Sequence, residues 1–414
     1  MHRSGVEAAW RDGRLTVVSL AVAAVYAAWF PVSGTGDVDI WLGWIRELGD
    51  ATPAAAYVSS HRDYPPGGFL LLELPRMLSQ ASGMAPLLAL KTLLVLAALA
   101  AAGVLLAWSR KPLYAAFFLL AVAVNVVAHG YLDILVAMPL LLALRALDRR
   151  RVVAAGALYA AAVAIKWQPL IIAPFVLVEA CRGARAPAGW IRALDGAGRL
   201  TAGALVVAVP LLLVFDAAAI LEALRLAFQH NSLSLQGLNL NWLVQLGLYV
   251  GSHSTGALYD VDVPQIVGVL VRAAFWAAYA MVLWLFMRGR QFFADFVWYS
   301  GVAFYSYCML SVGVHENHLF LTVVLAFALL CTNHPDAAWI AVFMSVASTV
   351  NLLLFYDLRG HGLWDTSAPM ANRWLIDASV VASLLNMLLW TVLVYRAMRT
   401  QPRSGASESS VAVA

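Results

Sequence analysis

Twelve stretches of nearly charge-free Ala, Val and Leu recur along this chain, at residues 15–32, 85–108, 113–128, 131–147, 152–165, 169–181, 199–215, 265–287, 292–312, 317–331, 337–355 and 374–397. A helix needs about 20 apolar residues to cross hydrocarbon, and backbone at that depth must satisfy its own hydrogen bonds. The repetition predicts an all-α, polytopic transmembrane helical bundle of about 11–13 helices. Several middle stretches are short, which points to tilted or partly buried helices around a cavity. Composition closes the soluble alternative, since 62% of the residues are hydrophobic and only 12% charged. A net charge of +4 is too small to suggest a nucleic-acid partner. Cys181, Cys308 and Cys331 lie in or beside apolar segments and form neither a CxxC pair nor an even disulfide set, so they read as packing residues.

Arg3, Arg11 and Arg14 precede the first apolar run in the manner of a signal peptide. No small-residue cleavage site follows before Asp37, and more spans come after it, so a retained first helix is expected. Residues 1–398 then form one transmembrane domain, and the Ser- and Ala-rich residues 399–414 a disordered cytoplasmic tail.

Alternate loops differ in basic residues, and that difference sets orientation. One side holds Arg110 and Lys111, Arg145 with Arg149 to Arg151, Arg182 with Arg185, Arg192 and Arg199, then Arg288 with Arg290, together with the basic residues of both termini. The other side holds scattered cations such as Arg46, Arg62, Arg76, Lys166, Arg225, Arg359 and Arg373. Both termini are therefore expected in the cytoplasm, in a multi-pass protein of the cell inner (plasma) membrane. The first outer loop (33–84), the His129 turn, the Lys166 turn, a second long outer loop (217–263) and the His315 turn then share the opposite, periplasmic or extracellular face.

The unusual polar residues gather on that face. Asp37 and Asp39 open a segment in which Ile40, Trp41, Trp44, Ile45 and Leu48 recur at helical spacing. This predicts an amphipathic helix in the membrane interface, its tryptophans at headgroup depth and its aspartates at the N-terminus, where the helix dipole favours negative charge. An ionised carboxylate there is a usable general base; capping the helix is the other role open to either aspartate. Asp37-Val38-Asp39 also has the form of a metal-binding DxD, but nucleotide sugars are cytoplasmic and this loop is not. In Asp63-Tyr64-Pro65-Pro66-Gly67 the rigid Pro-Pro pair presents the preceding side chains in a set direction, or simply makes a turn.

His129-Gly130-Tyr131-Leu132-Asp133 puts Asp133 about one turn inside the next helix, where a carboxylate needs a partner or a watery cavity. Lys166-Trp167-Gln168-Pro169 ends one helix and starts another, and Lys166 suits either phosphate binding or snorkelling to the interface. His315-Glu316-Asn317-His318 lacks the HExxH spacing of a zinc site. Arg373, just before the last span, is a further cation for an anionic ligand, or a topological anchor.

In this order, GDVDIWLGW, DYPPG, HGYLD, KWQPLIIAPF and VHENH resemble the dolichyl-phosphate-glucose-dependent glucosyltransferases of N-glycan precursor assembly, members of the GT-C superfamily. The resemblance is strongest from Gly36 to about Phe175 and again near His315. It implies a GT-C-like fold and a polyprenyl-phosphate-sugar donor, with Asp37 as catalytic base and Asp39 at the position of the family's neighbouring glutamate. It further implies that Asp63 and Tyr64 belong to an unchanged family motif, and that His315 and Glu316 lie near the donor phosphate. HGYLD departs from the family's longer His-Gly-His-Phe-Gln pattern, and the chain is shorter than eukaryotic members. The Ala- and Arg-rich composition suits a bacterial relative with an undecaprenyl or decaprenyl carrier.

The expected reaction is inverting transfer of a hexose, glucose or mannose, to a lipid-linked or envelope glycan acceptor. Asp37 removes the acceptor proton, and Asp63, Tyr64, His129, Asp133, Lys166, Gln168, His315, Glu316 and Arg373 form the substrate-binding set. The donor, the acceptor and membrane lipids are the partners, and the scheme calls for no cofactor or metal. Two rivals stand beside it. A transporter or lipid flippase would use Asp133 and Lys166 as a relay. A glycan ligase or polymerase acting on pyrophosphate-linked oligosaccharide would hold its chain with Gln229-His230-Asn231 and Asn239-Leu240-Asn241-Trp242.

Overall fold

The computed structural model describes residues 2–59, 63–182, 189–229, 232–252, 257–258, 261–289, 292–365 and 368–399. Arg62, Arg185, His230, Asn231, Arg290 and the tail 400–414 lie outside them. The chain is helical almost throughout, as the apolar repetition requires. Helix α1 is His2–Trp29, and the first long loop folds into α2 (Gly36–Asp50), α3 (Pro53–Ser59), α4 (Pro66–Leu71) and α5 (Glu73–Ser82). There follow α6 (Pro86–Ser109), α7 (Pro112–Ala123) continued by a π-helical turn Val124–Ala128, α8 (Ile134–Asp148) and α9 (Val152–Ile165). A 3-10 turn Gln168–Ile172 leads into α10 (Ala173–Cys181), then α11 (Gly189–Val214) and α12 (Ala217–Phe228). The remainder is α13 (Leu240–Gly251), α14 (Gln265–Arg288), α15 (Phe293–Leu310), α16 (Phe320–Cys331), α17 (Ala337–Leu353) and α18 (Arg373–Arg399).

Each of the twelve predicted stretches falls on one of these helices. Among the described residues four helices are long and apolar enough to cross a membrane: Pro86–Ser109, Ala193–Val214, Gln265–Arg288 and Arg373–Arg399. A second group of apolar helices is only 10–17 residues long. Only 6% of the apolar window of Ala193–Val214 is buried inside the protein, so its side chains need hydrocarbon around them. This is the build of a membrane protein.

The all-α expectation has one exception. Ser234–Leu235 (β1) pairs in parallel with Val314–His315 (β2), Ser234 opposite Val314 and Leu235 opposite His315. A second correction concerns Asp133, which directly precedes α8 instead of lying a turn inside it.

The C-terminal ends of α7, α9 and α15 and the N-terminal ends of α8 and α16 come together beside α2 and the β1–β2 pair, through contacts such as Lys166–Asp133, Tyr307–His318 and Tyr131–Glu316. The opposite end carries basic connectors. There Arg150 and Arg182 bracket the fully buried Glu179 at 3.1 and 3.2 Å, and the Trp108 indole donates to Asp148 at 3.1 Å.

Three glycines with left-handed backbone tie the polar end together: Gly34 (φ 87°), Gly130 (φ 76°) and Gly360 (φ 85°). A Cβ on Gly34 would lie 2.7 Å from the His129 carbonyl oxygen, and one on Gly360 would lie 2.2 Å from the Gly34 carbonyl carbon. Only residues without a side chain let three loops approach this closely. Hydrogen bonds run through the same joint, from Thr35 N–H to the His129 carbonyl (3.1 Å), from the Ser33 hydroxyl to the Arg359 carbonyl (3.2 Å), and from His129 Nε2 to the Asp357 carbonyl (2.9 Å).

Candidate functional site

Thr35 is the N-cap residue of α2, which places Asp37 and Asp39 in the first turn; neither of them caps the helix. They diverge from there. Asp37 faces a cavity of about 420 Å³, whereas Asp39 is exposed and outside its lining. The amphipathic period of α2 is as predicted, and its apolar face is covered by protein. Trp41 and Trp44 are 3% and 8% exposed and turn inward, packing edge-on against Tyr64 at ring separations of 5.1 and 5.7 Å.

The Asp63-Tyr64-Pro65-Pro66 segment leads into α4, where Gly67 and Gly68 allow contact with the backbone of α9. A Cβ at Gly67 would sit 2.6 Å from the Ala164 carbonyl oxygen, and one at Gly68 2.4 Å from that of Ile165. The contact sets Tyr64 beside Lys166, whose ammonium lies 5.5 Å from the centre of the tyrosine ring. Two hydrogen bonds lock the segment, from the Tyr57 hydroxyl to the Tyr64 carbonyl (2.7 Å) and from the Trp167 indole to the Asp63 carbonyl (2.9 Å).

Lys166 and Asp133 form a buried ion pair. This joins two residues 33 positions apart in the chain and removes snorkelling as the explanation of Lys166, which is 8% exposed yet reaches the cavity wall. Burial alone would lower its pKa, but the Asp133 carboxylate and Tyr64 outweigh burial and hold it well above the usual lysine range.

The Val314-His315-Glu316 segment closes the far side. The Tyr131 hydroxyl donates to Glu316 Oε1 at 2.6 Å, and Asn351 Nδ2 donates to the Glu316 carbonyl at 2.7 Å. His315 and His318 lie with ring centres 5.2 Å apart, and the Tyr307 hydroxyl meets His318 Nδ1 at 3.2 Å. A smaller lobe of about 60 Å³, bounded by Gln168 and Tyr307, shares Asp63, Tyr64, Lys166, His315 and His318 with the main cavity.

Electrostatics single out two carboxyl groups. Burial, opposed by Lys166 and reinforced by Asp133 and Asp63, pushes Asp37 from 3.8 up to about 6. Burial and then the Asp37 charge push Glu316 from 4.5 up to about 7. His129, driven down to about 4 chiefly by burial, stays neutral; its Nε2–H is held by the Asp357 carbonyl, so it braces a loop.

Of the predicted site residues, Asp37, Asp63, Tyr64, Lys166, His315 and Glu316 line the main cavity, Gln168 lines the smaller lobe, and Asp133 stands behind Lys166. His129 is fully buried outside both linings, and Arg373 is exposed at the start of α18. Besides Ile40, Trp41, Trp44 and Leu235, the lining includes four polar side chains not anticipated as site residues: Gln236, Asn317, His318 and Tyr356. Gln236 arrives through the β1–β2 pairing with left-handed backbone (φ 67°), and its side-chain oxygen accepts from the Tyr356 hydroxyl at 3.2 Å.

Of the residues that a ligase would use to hold its chain, Gln229 is exposed, His230 and Asn231 lie outside the described residues, and the second group is turned inward. Asn239, Asn241 and Trp242 are buried, with Asn239 bonded to the Cys308 carbonyl (2.9 Å), Asn241 to the Ser311 carbonyl (2.6 Å) and the Trp242 indole to Ser379 (3.0 Å). Among the described residues no group of three or more His, Cys, Asp or Glu is placed to hold a metal ion.

Compared with known proteins, the chain matches no family model and no curated sequence. What the site does is therefore argued from its residues.

Proposed function

We propose that this protein is a GT-C-like membrane glycosyltransferase that moves a hexose from a polyprenyl-phosphate donor to a lipid-linked or envelope glycan acceptor. The observation that carries the reading is the placement of Asp37 on one wall of a polar, aromatic-lined cavity whose other walls hold Lys166 and His315. Asp37 takes the proton of the acceptor hydroxyl. The freed oxygen attacks the anomeric carbon, the bond from that carbon to the phosphate oxygen breaks, and its electron pair leaves with the polyprenyl phosphate. A single displacement of this kind inverts the configuration.

A carboxyl group with a pKa of about 6 suits the base, being largely ionised at neutral pH while retaining more proton affinity than an ordinary aspartate. Phosphate is a good leaving group and needs charge stabilisation more than a proton. Lys166, His315 and His318 converge where the two lobes meet and would supply it. Arg373 has no part in this scheme. The sidedness of the basic connectors supports termini in the cytoplasm and a site on the outer face of the inner membrane.

The test is transfer of radiolabelled glucose or mannose from its polyprenyl phosphate to a membrane lipid extract by purified protein in liposomes. Labelled product with wild type and none with Asp37→Asn is expected. Wild-type turnover by Asp37→Asn would remove Asp37 from the role, and no transfer from either donor would turn the question to lipid transport in sealed vesicles.

A further inference from the structure

Lys91 is the only basic residue in the interior of α6, and it is completely buried. Among the described residues no carboxylate pairs with it. Its ammonium instead donates to the carbonyl oxygen of Val127 and approaches that of Ala128 at 3.4 Å. Those carbonyls end the π-helical turn Val124–Ala128, where His129 N–H reaches back five residues to the Val124 carbonyl at 2.9 Å. Helix C-termini leave carbonyls without intrahelical donors, and a cation there satisfies them and complements the helix dipole.

The turn that Lys91 holds is connected to the cavity walls that carry Asp37, Glu316 and Lys166. The next carbonyl, that of His129, accepts from Thr35 N–H and so fixes the first turn of α2. Gly130 lies under the same joint: a Cβ there would fall 2.7 Å from Val38 Cγ2 and 3.8 Å from Lys91 Nζ. Val38 is the residue after Asp37. Tyr131 bonds Glu316, and Asp133 pairs with Lys166. We infer that Lys91 is a positioning residue for the Asp37 carboxylate, acting through the Val127–Gly130 backbone without touching the cavity. The inference rests on the transferase reading for its effect on turnover, but its effect on Asp37 can be measured without any substrate.

The experiment compares wild type with Lys91→Met and Lys91→Arg in detergent micelles. A water-soluble carbodiimide labels protonated carboxyl groups, and mass spectrometry reads its pH midpoint at Asp37. In Lys91→Met the first turn of α2 loosens, so the midpoint falls from about 6 toward the ordinary aspartate range, while labelling of Asp336 at the opposite end is unchanged. Lys91→Arg, which keeps a charged donor for two carbonyls, restores the wild-type midpoint. In the transfer assay, Lys91→Met lowers kcat on the order of 100-fold with little change in KM, the scale expected when a reacting group is displaced by about 1 Å.

An unchanged Asp37 midpoint in Lys91→Met overturns the inference, as does a shifted midpoint with wild-type kcat. Wild type that transfers nothing refutes the transferase reading separately and leaves the labelling result to decide the positioning claim. Should Lys91→Met not fold, Lys91→Gln, a neutral donor, is read by the same criteria.

Discussion

Replacing Asp37 with asparagine should stabilise the protein above neutral pH while removing its activity. The folded state raises the Asp37 pKa from 3.8 to about 6, mainly by burial. The sign follows from linkage. Between those two values the folded state holds a proton that the unfolded state has lost, so stability declines as pH rises through that window. At pH 8 the full cost of ionising Asp37 in the fold is present. At about 1.36 kcal/mol per unit it comes to roughly 3 kcal/mol. Asparagine has nearly the shape of the protonated acid and never ionises, so it avoids that cost. It also relieves Glu316, whose pKa the Asp37 charge raises further. Thermal unfolding in detergent, followed by tryptophan fluorescence from about pH 3.5 to 8.5, should give a higher midpoint for Asp37→Asn at pH 8. The difference should shrink as pH falls through 6 and disappear near pH 4. A variant less stable at pH 8, or a difference that ignores pH, would refute the argument that burial sets the ionisation of Asp37.

Further outcomes concern the rest of the site. Asp133→Asn leaves the Lys166 ammonium buried without its carboxylate and should cost about 3–5 kcal/mol, whereas adding Lys166→Met should recover much of it; additive losses in unfolding measurements would deny the coupling. The pH profile of kcat/KM should show an acid limb near pH 6, because the base works only when ionised, with the rate falling about tenfold per unit below it. An acid limb near pH 4 would contradict the environment assigned to Asp37. Gly360→Ala forces a methyl to 2.2 Å from the Gly34 carbonyl carbon at φ 85° and should lower the thermal midpoint and impair activity together. A silent substitution there would mean that the three-loop joint is not needed.

Much of this arrangement was visible in the sequence, because membrane helices announce themselves by length and hydropathy. All twelve apolar stretches are helices, and the amphipathic period of residues 36–50 is the period of α2. That period identifies which face of the helix is apolar but not what covers it, which is why Trp41 and Trp44 meet Tyr64 and not lipid. Sidedness together with motif order put Asp37, Tyr64, Lys166 and His315 on one side of the chain's helices, and only the fold shows that they line one cavity. What remained hidden depends on contacts between distant segments. A strand of two residues has no alternation to detect, so nothing in Ser234-Leu235-Gln236 foretold pairing beside His315 or the arrival of Gln236 in the cavity. Lys91 did leave a signal, a lone lysine inside an apolar span, which by its insertion cost alone marks a residue with a task.

The glycine joint has a consequence for the order in which the protein is made. Ser33 finds its acceptor, the Arg359 carbonyl, 326 residues further along the chain, and His129 waits 228 residues for Asp357. At a synthesis rate of about 5–20 residues per second, Ser33 is complete roughly 16 to 65 s before Arg359 exists. During that interval the early helices enter the bilayer one after another, while the loop before Asp37 has only its tie to the His129 carbonyl. A ribosome that stops before residue 357 leaves an inserted set of helices without the Asp357 and Arg359 acceptors, so the finished joint is among the last features this chain acquires.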